Sequence, residues 1–596
     1  MAPQSTRRAG LRTVKRRGKP RRQRIRLKPE ADRRLKTVFA RIGAPEKRPF
    51  RPDAFQIDSV KAMQHADCLV CAPTGSGKTW IAQEAIRRIT ETGGKAWYAS
   101  PLKALTNSKL IEFGHVFGME RVGILTGDRK ENADAPIIVG TTEILRNQLY
   151  DAMSHGTDLD TDLVVLDEAH FLGDEDRGVV WEEIMIYLPQ RVPLLLLSAT
   201  VGNAQQIADW LESIRAKPCR VIEEKHRPVP LFPLFFHPSG RLLPLLGAKG
   251  LDKAVVRYLK DPNPPVLGTP RRLPPFSEIL RVLRRFDLLP AIFFMKSRAD
   301  CDAALACCID YEPGPDNHQA LCDAVDALIS GQTHLRRHQQ LRYLTEAGVA
   351  AHHSGQLPAW KLVIEQLMTA GLLEAVFATS TVAAGVNFPA RSVVFLNSDR
   401  YNGRRFVPLD ATQFHQTTGR AGRRGKDRIG FAVVLPGRFM DVRLMADLFK
   451  ASPEDVLSQI KVNFSMVLNL LLSHDLGQIK EVLQRSFAAY LDVVKQRPEL
   501  GKRLKEATRH VAEFLPEAVC AGPDAALELI RTRRAAALER TELGKTLRQQ
   551  RSRLSKLAHL DPGRLFLDRR GRMYCVLQPQ VRRGQRGVLA CRVKQR

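Results

Sequence analysis

Short, continuously apolar runs alternate with longer amphipathic stretches from about residue 66 to residue 434. The first set is Cys68–Cys71, Ala96–Ser100, Val122–Leu125, Ile137–Gly140, Leu163–Leu166 and Leu194–Leu197; the second is Ala291–Phe294, Ala375–Ala378, Val393–Leu396 and Phe431–Val434. Runs this short, rich in β-branched residues and without polar alternation, predict strands buried on both faces. Helices between them make the sheets parallel. Two α/β sheets in tandem are therefore expected. In the first set the runs lead into polar clusters: Pro101-Leu102-Lys103, Thr126-Gly127-Asp128, Thr141-Thr142-Glu143, Asp167-Glu168-Ala169-His170 and Ser198-Ala199-Thr200. Ligands of open α/β sheets gather at the carboxyl ends of strands, so all five clusters are expected on one edge.

Elsewhere the pattern is looser. Residues 226–288, with Pro262, Pro264, Pro265, Pro274 and Pro275, read as a connector and surface excursion, and 309–342 as polar and irregular. Asn402-Gly403, flanked by Tyr401 and Phe406, signals a hairpin. After about residue 445 helical periodicity takes over. Leu527, Ile530, Leu538, Leu547, Leu554 and Leu557 recur at helical multiples and predict a coiled hairpin, before an arginine-rich end with strand-like pieces.

Composition narrows the partners. The chain has 596 residues, 44% hydrophobic and 26% charged, which is ordinary for a globular protein of about three or four domains. Its net charge of +30 is not ordinary, and points to a polyanion, nucleic acid first. Twelve Arg and Lys residues precede the first acid, Glu30, so the N-terminal stretch reads as a disordered arm that holds phosphate backbones. Without an apolar run of membrane length or a signal-peptide core, a cytoplasmic protein with no membrane partner is expected. Cys68 and Cys71, three apart on a strand, face opposite sides and read as core residues.

The candidate chemistry centres on Ala72-Pro73-Thr74-Gly75-Ser76-Gly77-Lys78-Thr79, between a strand and a helix. Strand, glycine loop and helix form a phosphate cradle, with backbone N–H groups and the helix N-terminus turned on the anion. Lys78 is expected on the β/γ-phosphates and the Thr79 hydroxyl on Mg²⁺. Gln56, one helix earlier, has an amide able to read an adenine edge, which favours ATP over GTP. Asp167 closes a strand as a metal-side carboxylate, and Glu168 beside it is placed to deprotonate the attacking water. In the second half, Thr379, Thr381 and Gly385 close a strand with hydroxyls and a glycine, suited to touching a nucleic-acid backbone and sensing ATP. Arg420 and Arg423, three apart, share a helix face that could be directed at a γ-phosphate.

APTGSGKT, SPLKAL, TGD, TTEIL, DEAH and SAT, in this order and spacing, resemble the first motor domain of a superfamily two DExH-box helicase. HHSG at His352–Gly355, AAGVNFPAR at Ala383–Arg391 and QTTGRAGRRGKD at Gln416–Asp427 resemble its superkiller-type branch, whose members unwind RNA for processing or decay. A neighbouring DNA-repair branch tends to follow GRAGR with proline; Arg424-Gly425 stands here, which favours RNA over DNA. The resemblance implies an α/β fold: two tandem RecA-like domains, 46–225 and 226–440, after a basic arm at 1–45. A winged helix at 441–497 and a helical hairpin with a basic element at 498–596 complete it. It implies ATP and Mg²⁺ as cofactors, Gln416 in catalysis with the two arginines, and His170, Ser198 and Thr200 in coupling. Single-stranded RNA would be held by its backbone at Pro101, Thr126, Gly127, Thr142, Thr379 and Thr381, and a nuclease or ribonucleoprotein would be a partner.

Overall fold

In the computed structural model, residues 26–46, 49–175, 177–268, 273–379, 388–401, 405–460, 471, 475–494, 523–557, 561–568, 572–582 and 585–593 are described. The chain forms two compact units, 1–494 and 495–596.

The first unit holds two eight-stranded sheets. From edge to edge the first runs Arg129–Glu131, Val122–Thr126, Ile137–Thr141, Ala96–Ser100, Leu163–Asp167, Leu194–Ser198, Asp67–Cys71 and Cys219–Glu223, parallel except for the antiparallel edge strand at 129–131. Its six inner strands are buried on both faces, and side chains alternate between two cores. Leu69 and Cys71 pack on one side with Trp181 and Trp210; Cys68 and Val70 pack on the other with Ile81 and Ile86. Burial pushes both cysteine thiols up to about 12, so they stay protonated and apolar in behaviour.

The second sheet runs Glu30–Ala31, Arg241–Pro244, Leu231–Phe236, Gly430–Val434, Ser392–Phe395, Ala291–Phe294, Ala375–Ala378 and Val349–His352. Three expectations are corrected here. Residues 26–45 are not an arm: Glu30 and Ala31 pair with Arg241 and Leu242, and Leu27 and Leu35 are buried in this sheet's core. Residues 226–288 are not a mere excursion, since Leu231–Phe236 and Arg241–Pro244 are strands of the sheet and Phe276–Arg285 is a helix against it. Residues 309–342 contain the helix Pro315–Ile329, which buries Leu321, Val325 and Ile329 at four-residue intervals. Residues 1–25 lie outside the described residues.

Asp399–Tyr401 and Phe406–Pro408 form the two-stranded hairpin, and its Asn402-Gly403 tip lies outside the described residues. Past the helix Val442–Leu448 the chain returns to the first sheet. Gly202 N donates to the Glu454 carbonyl (3.0 Å), and Asn203 bonds Val456 in both directions (2.8 and 2.9 Å). Val456, Ile460, Val482, Phe487 and Leu491 complete the first sheet's core. Of the range 441–497 expected as a winged helix, residues 461–470, 472–474 and 495–497 lie outside the described residues.

In the second unit a single 35-residue helix, Pro523–Leu557, carries all six apolar positions read as a hairpin, so no turn divides them. Leu538 and Leu547 on it are exposed. An antiparallel sheet of Leu565–Leu567, Met573–Arg582 and Gln585–Arg592 follows. Among the described residues no helix is long and apolar enough to cross a membrane.

The returning segment is anchored by Glu182, which has no solvent exposure. Its carboxylate accepts from the Phe487 N–H (2.8 Å) and the Ser458 hydroxyl (2.5 Å). Burial, reinforced by nearby Glu183, outweighs these bonds and pushes the carboxyl from its ordinary 4.5 up to about 7. The folded protein therefore favours the protonated acid, and the stability this lends is lost as pH rises from 4.5 through 7. Glu182→Gln should remove that slope. Between pH 5.5 and 8 the wild-type melting temperature is expected to fall by about 3 °C more than the variant's; parallel curves would reject the assignment.

Candidate active site

The glycine loop sits at the carboxyl end of Asp67–Cys71 and runs into the helix Lys78–Glu91. Gly77, at φ 87°, adopts the left-handed backbone that glycine takes without strain. A Cβ there would also come within 2.8 Å of Gln56 Nε2 and 3.0 Å of Arg424 Nη1. Gln56 is buried, and both ends of its amide are engaged by backbone: Nε2 donates to Gly77 O (2.8 Å) and Oε1 accepts from Asp53 N (2.7 Å). It ties the preceding helix to the loop instead of presenting a free edge to a base.

Lys78 Nζ donates to the carbonyls of Ala72 (2.7 Å) and Pro73 (3.3 Å). Burial lowers its pKa, and the charges of Glu168 and Asp167 oppose that. Asp167 accepts from the Tyr98 hydroxyl and from its neighbour's N–H, Glu168 N (3.0 Å). Burial raises the Asp167 pKa, with Glu168 adding to it. Glu168 stands at φ 61°, ψ 46°, a conformation costing a residue with a side chain about 1–2 kcal/mol. Its Oε2 lies 3.4 Å from His170 Nδ1. Burial and the Lys78 charge lower the His170 pKa to about 4, so the imidazole is neutral at pH 7.

Arg420 enters this pocket from the second sheet. It is partly buried, its pKa is lowered by that burial and supported by Glu168, and its charge is felt by Lys78 and His170. Arg423 does not join it. Nε and Nη2 bond Asp427 (2.7 and 3.0 Å), which also accepts from Arg391 Nε (2.9 Å), so Arg423 braces its own domain. Arg424 reaches the loop instead, donating to Ser76 O (2.6 Å) and to Asp53 Oδ2 (2.8 Å). Gln416, Thr74 and Thr200 line one cavity of the cleft. A Cβ on Gly419 would meet Thr74 Cβ at 2.8 Å, so the loop and the Ala411–Thr418 helix are in direct contact. Ser198 is buried, with no hydrogen-bond partner for its hydroxyl.

A nucleoside triphosphate with a divalent cation suits these groups. Ser76, beside Gly75 and Gly77, has a buried hydroxyl without a partner. Thr79 and Asp167 offer hard oxygen donors. Among the described residues no cluster of three or more His, Cys, Asp or Glu could hold a metal alone. That matches a magnesium ion, which takes one or two protein oxygens and completes its shell with phosphates and water.

The expected nucleic-acid residues fall into two groups. Pro101, Thr126, Gly127 and Thr142 follow or close the adjacent strands 96–100, 122–126 and 137–141. Thr126 Oγ1 donates to Asp128 (2.9 Å), Asp128 pairs with Lys103 (2.8 Å), and Pro101 O accepts from Arg177. Thr379 lines a separate cavity with Lys296 and Arg400 below the hairpin. Thr381 and Gly385 lie outside the described residues. Sequence reading missed Tyr98, Asp53, Lys109 and Arg424. Only Arg424 had a signal, its place beside the GRAGR motif; the others are brought in by strand alternation and helix packing.

Residues 53–207 match the DEAD/DEAH box helicase family. Over 475 residues the chain is 36% identical to a probable helicase, HelY, of Mycobacterium tuberculosis, covering 74% of this chain and 52% of that protein. It is 36% identical to the chloroplastic DExH-box ATP-dependent RNA helicase DExH15 of Arabidopsis thaliana, covering 78% and 43%. It is 34% identical to Superkiller complex protein 2 of Homo sapiens, covering 74% and 37%. The chain thus spans about half the length of the HelY relative or less of the others. With its two sheets, the partly buried Lys78, Asp167, Glu168 and Arg420 gathered between them, and these relatives, the chain carries a DEAD/DEAH box helicase domain and is similar to the superkiller-type DExH-box helicases.

Proposed function

We propose that this protein is an ATP-driven RNA helicase that moves along single-stranded RNA and separates or remodels RNA and its complexes. The observation that carries the proposal is Arg420, a partly buried cation of the second sheet within Coulombic reach of Glu168 and Lys78 on the first. A triphosphate entering there meets charge from both sheets. Closing the cleft on ATP and reopening it after hydrolysis would then alter the spacing of the two RNA-holding surfaces.

In this reading Lys78 and the loop N–H groups from Thr74 to Thr79 bind the phosphates. Glu168 accepts the proton of the attacking water, while neutral His170 beside it adds no competing positive charge. Arg420 stabilises the charge spreading over the γ-phosphoryl as the bond breaks, with Gln416 beside it. A magnesium ion held through Thr79 and Asp167 would neutralise the β- and γ-oxygens. Ser198, Thr200 and His170 couple this pocket to the RNA surface. Arg423 is assigned to bracing Asp427, and Arg424 with Phe55 to the wall beside the loop. RNA is supported by the net charge of +30 and by the names of the RNA-helicase relatives. The contacts at Pro101, Thr126, Gly127, Thr142 and Thr379 are to sugar and phosphate, so the grip carries no sequence preference. The names Superkiller complex protein 2 and Exosome RNA helicase MTR4 support a complex with RNA-processing or nuclease partners. A cytoplasmic site of action belongs to the same proposal and is supported by the cysteines, which are free thiols among the described residues.

Three outcomes test it. Single-stranded RNA should stimulate ATP turnover more than single-stranded DNA, and ATP should drive displacement from a tailed RNA duplex; equal stimulation by DNA would count against RNA as substrate. Glu168→Gln should slow ATP turnover by at least about 100-fold while leaving RNA binding intact. Arg420→Ala and Arg423→Ala should part company. The first is expected to cut turnover roughly 1,000-fold at an unchanged melting temperature. The second should lower the melting temperature, because it weakens the pairing of buried Asp427 by about 1–3 kcal/mol. Equal melting temperatures for the two variants would place Arg423 back in the catalytic set.

A further inference from the structure

Lys109 lies on the helix Lys103–Phe117, yet its ammonium is directed at the phosphate-loop helix. Nζ donates to the Thr79 hydroxyl oxygen (2.9 Å) and to Glu112 Oε2 (2.7 Å), and the side chain is only 12% exposed. Glu112 in turn accepts from Gln83 Nε2 (3.1 Å), one turn along the helix that carries Thr79. Lys109 is also the strongest of the neighbouring cations in favouring ionised Asp167. One ammonium therefore bonds one of the oxygen donors assigned above to the metal and acts on the other through its charge.

We propose that Lys109 is a positioning residue that stands in for the divalent cation. It holds the Thr79 hydroxyl in place beside Asp167, and it must withdraw toward Glu112 when magnesium arrives with the nucleotide. The inference rests on the nucleotide reading of this site. Magnesium binds oxygen at about 2.1 Å and tolerates little distortion of its octahedron. A metal on Thr79 Oγ1 would leave two like charges on one hydroxyl, so one has to move. Glu112, fixed by Gln83, gives the ammonium a place to stay.

The move also has a direction. The Lys103–Phe117 helix begins beside Pro101 and Lys103, in the cluster assigned to the RNA backbone, and Lys109 is six residues along it, about 9 Å. Exchange of ammonium for metal at Thr79 thus acts on the helix that supports the RNA grip.

The test is direct binding of a fluorescent, non-hydrolysable ATP analogue to the full chain, titrated with Mg²⁺. Lys109→Met keeps the stem and removes the charge. The Mg²⁺ concentration for half-maximal analogue binding should fall about tenfold, the order expected for one like charge removed at this range. In EDTA the analogue's affinity should stay within about twofold of wild type, because the ammonium is assigned to the metal position and not to a phosphate. Arg88→Met, the same charge change on the far part of the loop helix, should leave the titration unshifted. If Lys109→Met does not fold, Lys109→Gln makes the same comparison. An unchanged titration, an increased Mg²⁺ requirement, an equal shift in Arg88→Met, or lost affinity in EDTA would each overturn the inference while leaving the nucleotide reading standing. Wild type that binds no analogue at any Mg²⁺ concentration would overturn both.

Discussion

Opposite charges gathered between two sheets are the constraint on which the candidate site depends. Lys78, Asp167, Glu168 and Arg420 are partly withdrawn from water together, and charged groups in such a place are costly unless opposite charges offset one another. Two come from strand ends of the first sheet, one from its glycine loop, and the last from the second sheet. Arg420 adds the second sheet's charge to this set, where Glu168 favours it. His170 fits the same logic: with its pKa near 4 it adds no third cation to the group.

The covalent path reinforces the electrostatic one. Glu30–Ala31 joins the second sheet before the chain enters the first, and 451–460 returns to the first after the second is complete. On that return His415 and Thr412, both on the Ala411–Thr418 helix that leads to Arg420, bond the Ala451 carbonyl (2.9 Å) and the Glu454 N–H (3.3 Å). The next residues bond Gly202 and Asn203, directly behind Ser198-Ala199-Thr200. A displacement of the arginine-bearing helix is therefore passed by short hydrogen bonds to the loop after the sixth strand of the first sheet. Coupling between the halves needs no contact through the ligand alone.

What the sequence made legible follows from where the chemistry is local. The strands were readable because burial on both faces leaves continuous apolar runs. The glycine loop and the Asp167-Glu168 pair were readable because their geometry is set by adjacent residues. Side chains that reach across the fold were not. Arg423 and Arg424 are neighbours with opposite fates, and Asp427 decides which of them is captured inside the domain. Gln56 was correctly placed beside the loop, but a capping interaction with Asp53 N uses its oxygen. Glu30–Ala31 is two residues long, too short for periodicity, and pairs only because Arg241–Leu242 is in place. The helix Pro315–Ile329 hid its apolar stripe among polar residues, and the six leucine and isoleucine positions near the end could not say whether a turn lay between them.

The strengths of the ion pairs are divided in a way that suits repeated opening. Inside the first domain, Arg215 pairs with Asp67 at 2.6 Å, both about 1% exposed, and its remaining N–H groups bond the Leu188 and Val192 carbonyls. Inside the second, Asp427 is equally buried between Arg391 and Arg423. Breaking a pair of that kind costs about 3–5 kcal/mol, because it leaves a charge without water or partner. Across the cleft, Arg424 and Asp53 are 37% and 45% exposed, and such a pair is worth about 0–1 kcal/mol. Arg420 is different again: opening the cleft returns it to water, so its loss of Glu168 is offset by hydration. The domains are thus held rigid by pairs that cannot open cheaply and joined by pairs that can. That division leaves the contacts across the cleft cheaper to break than those within either domain.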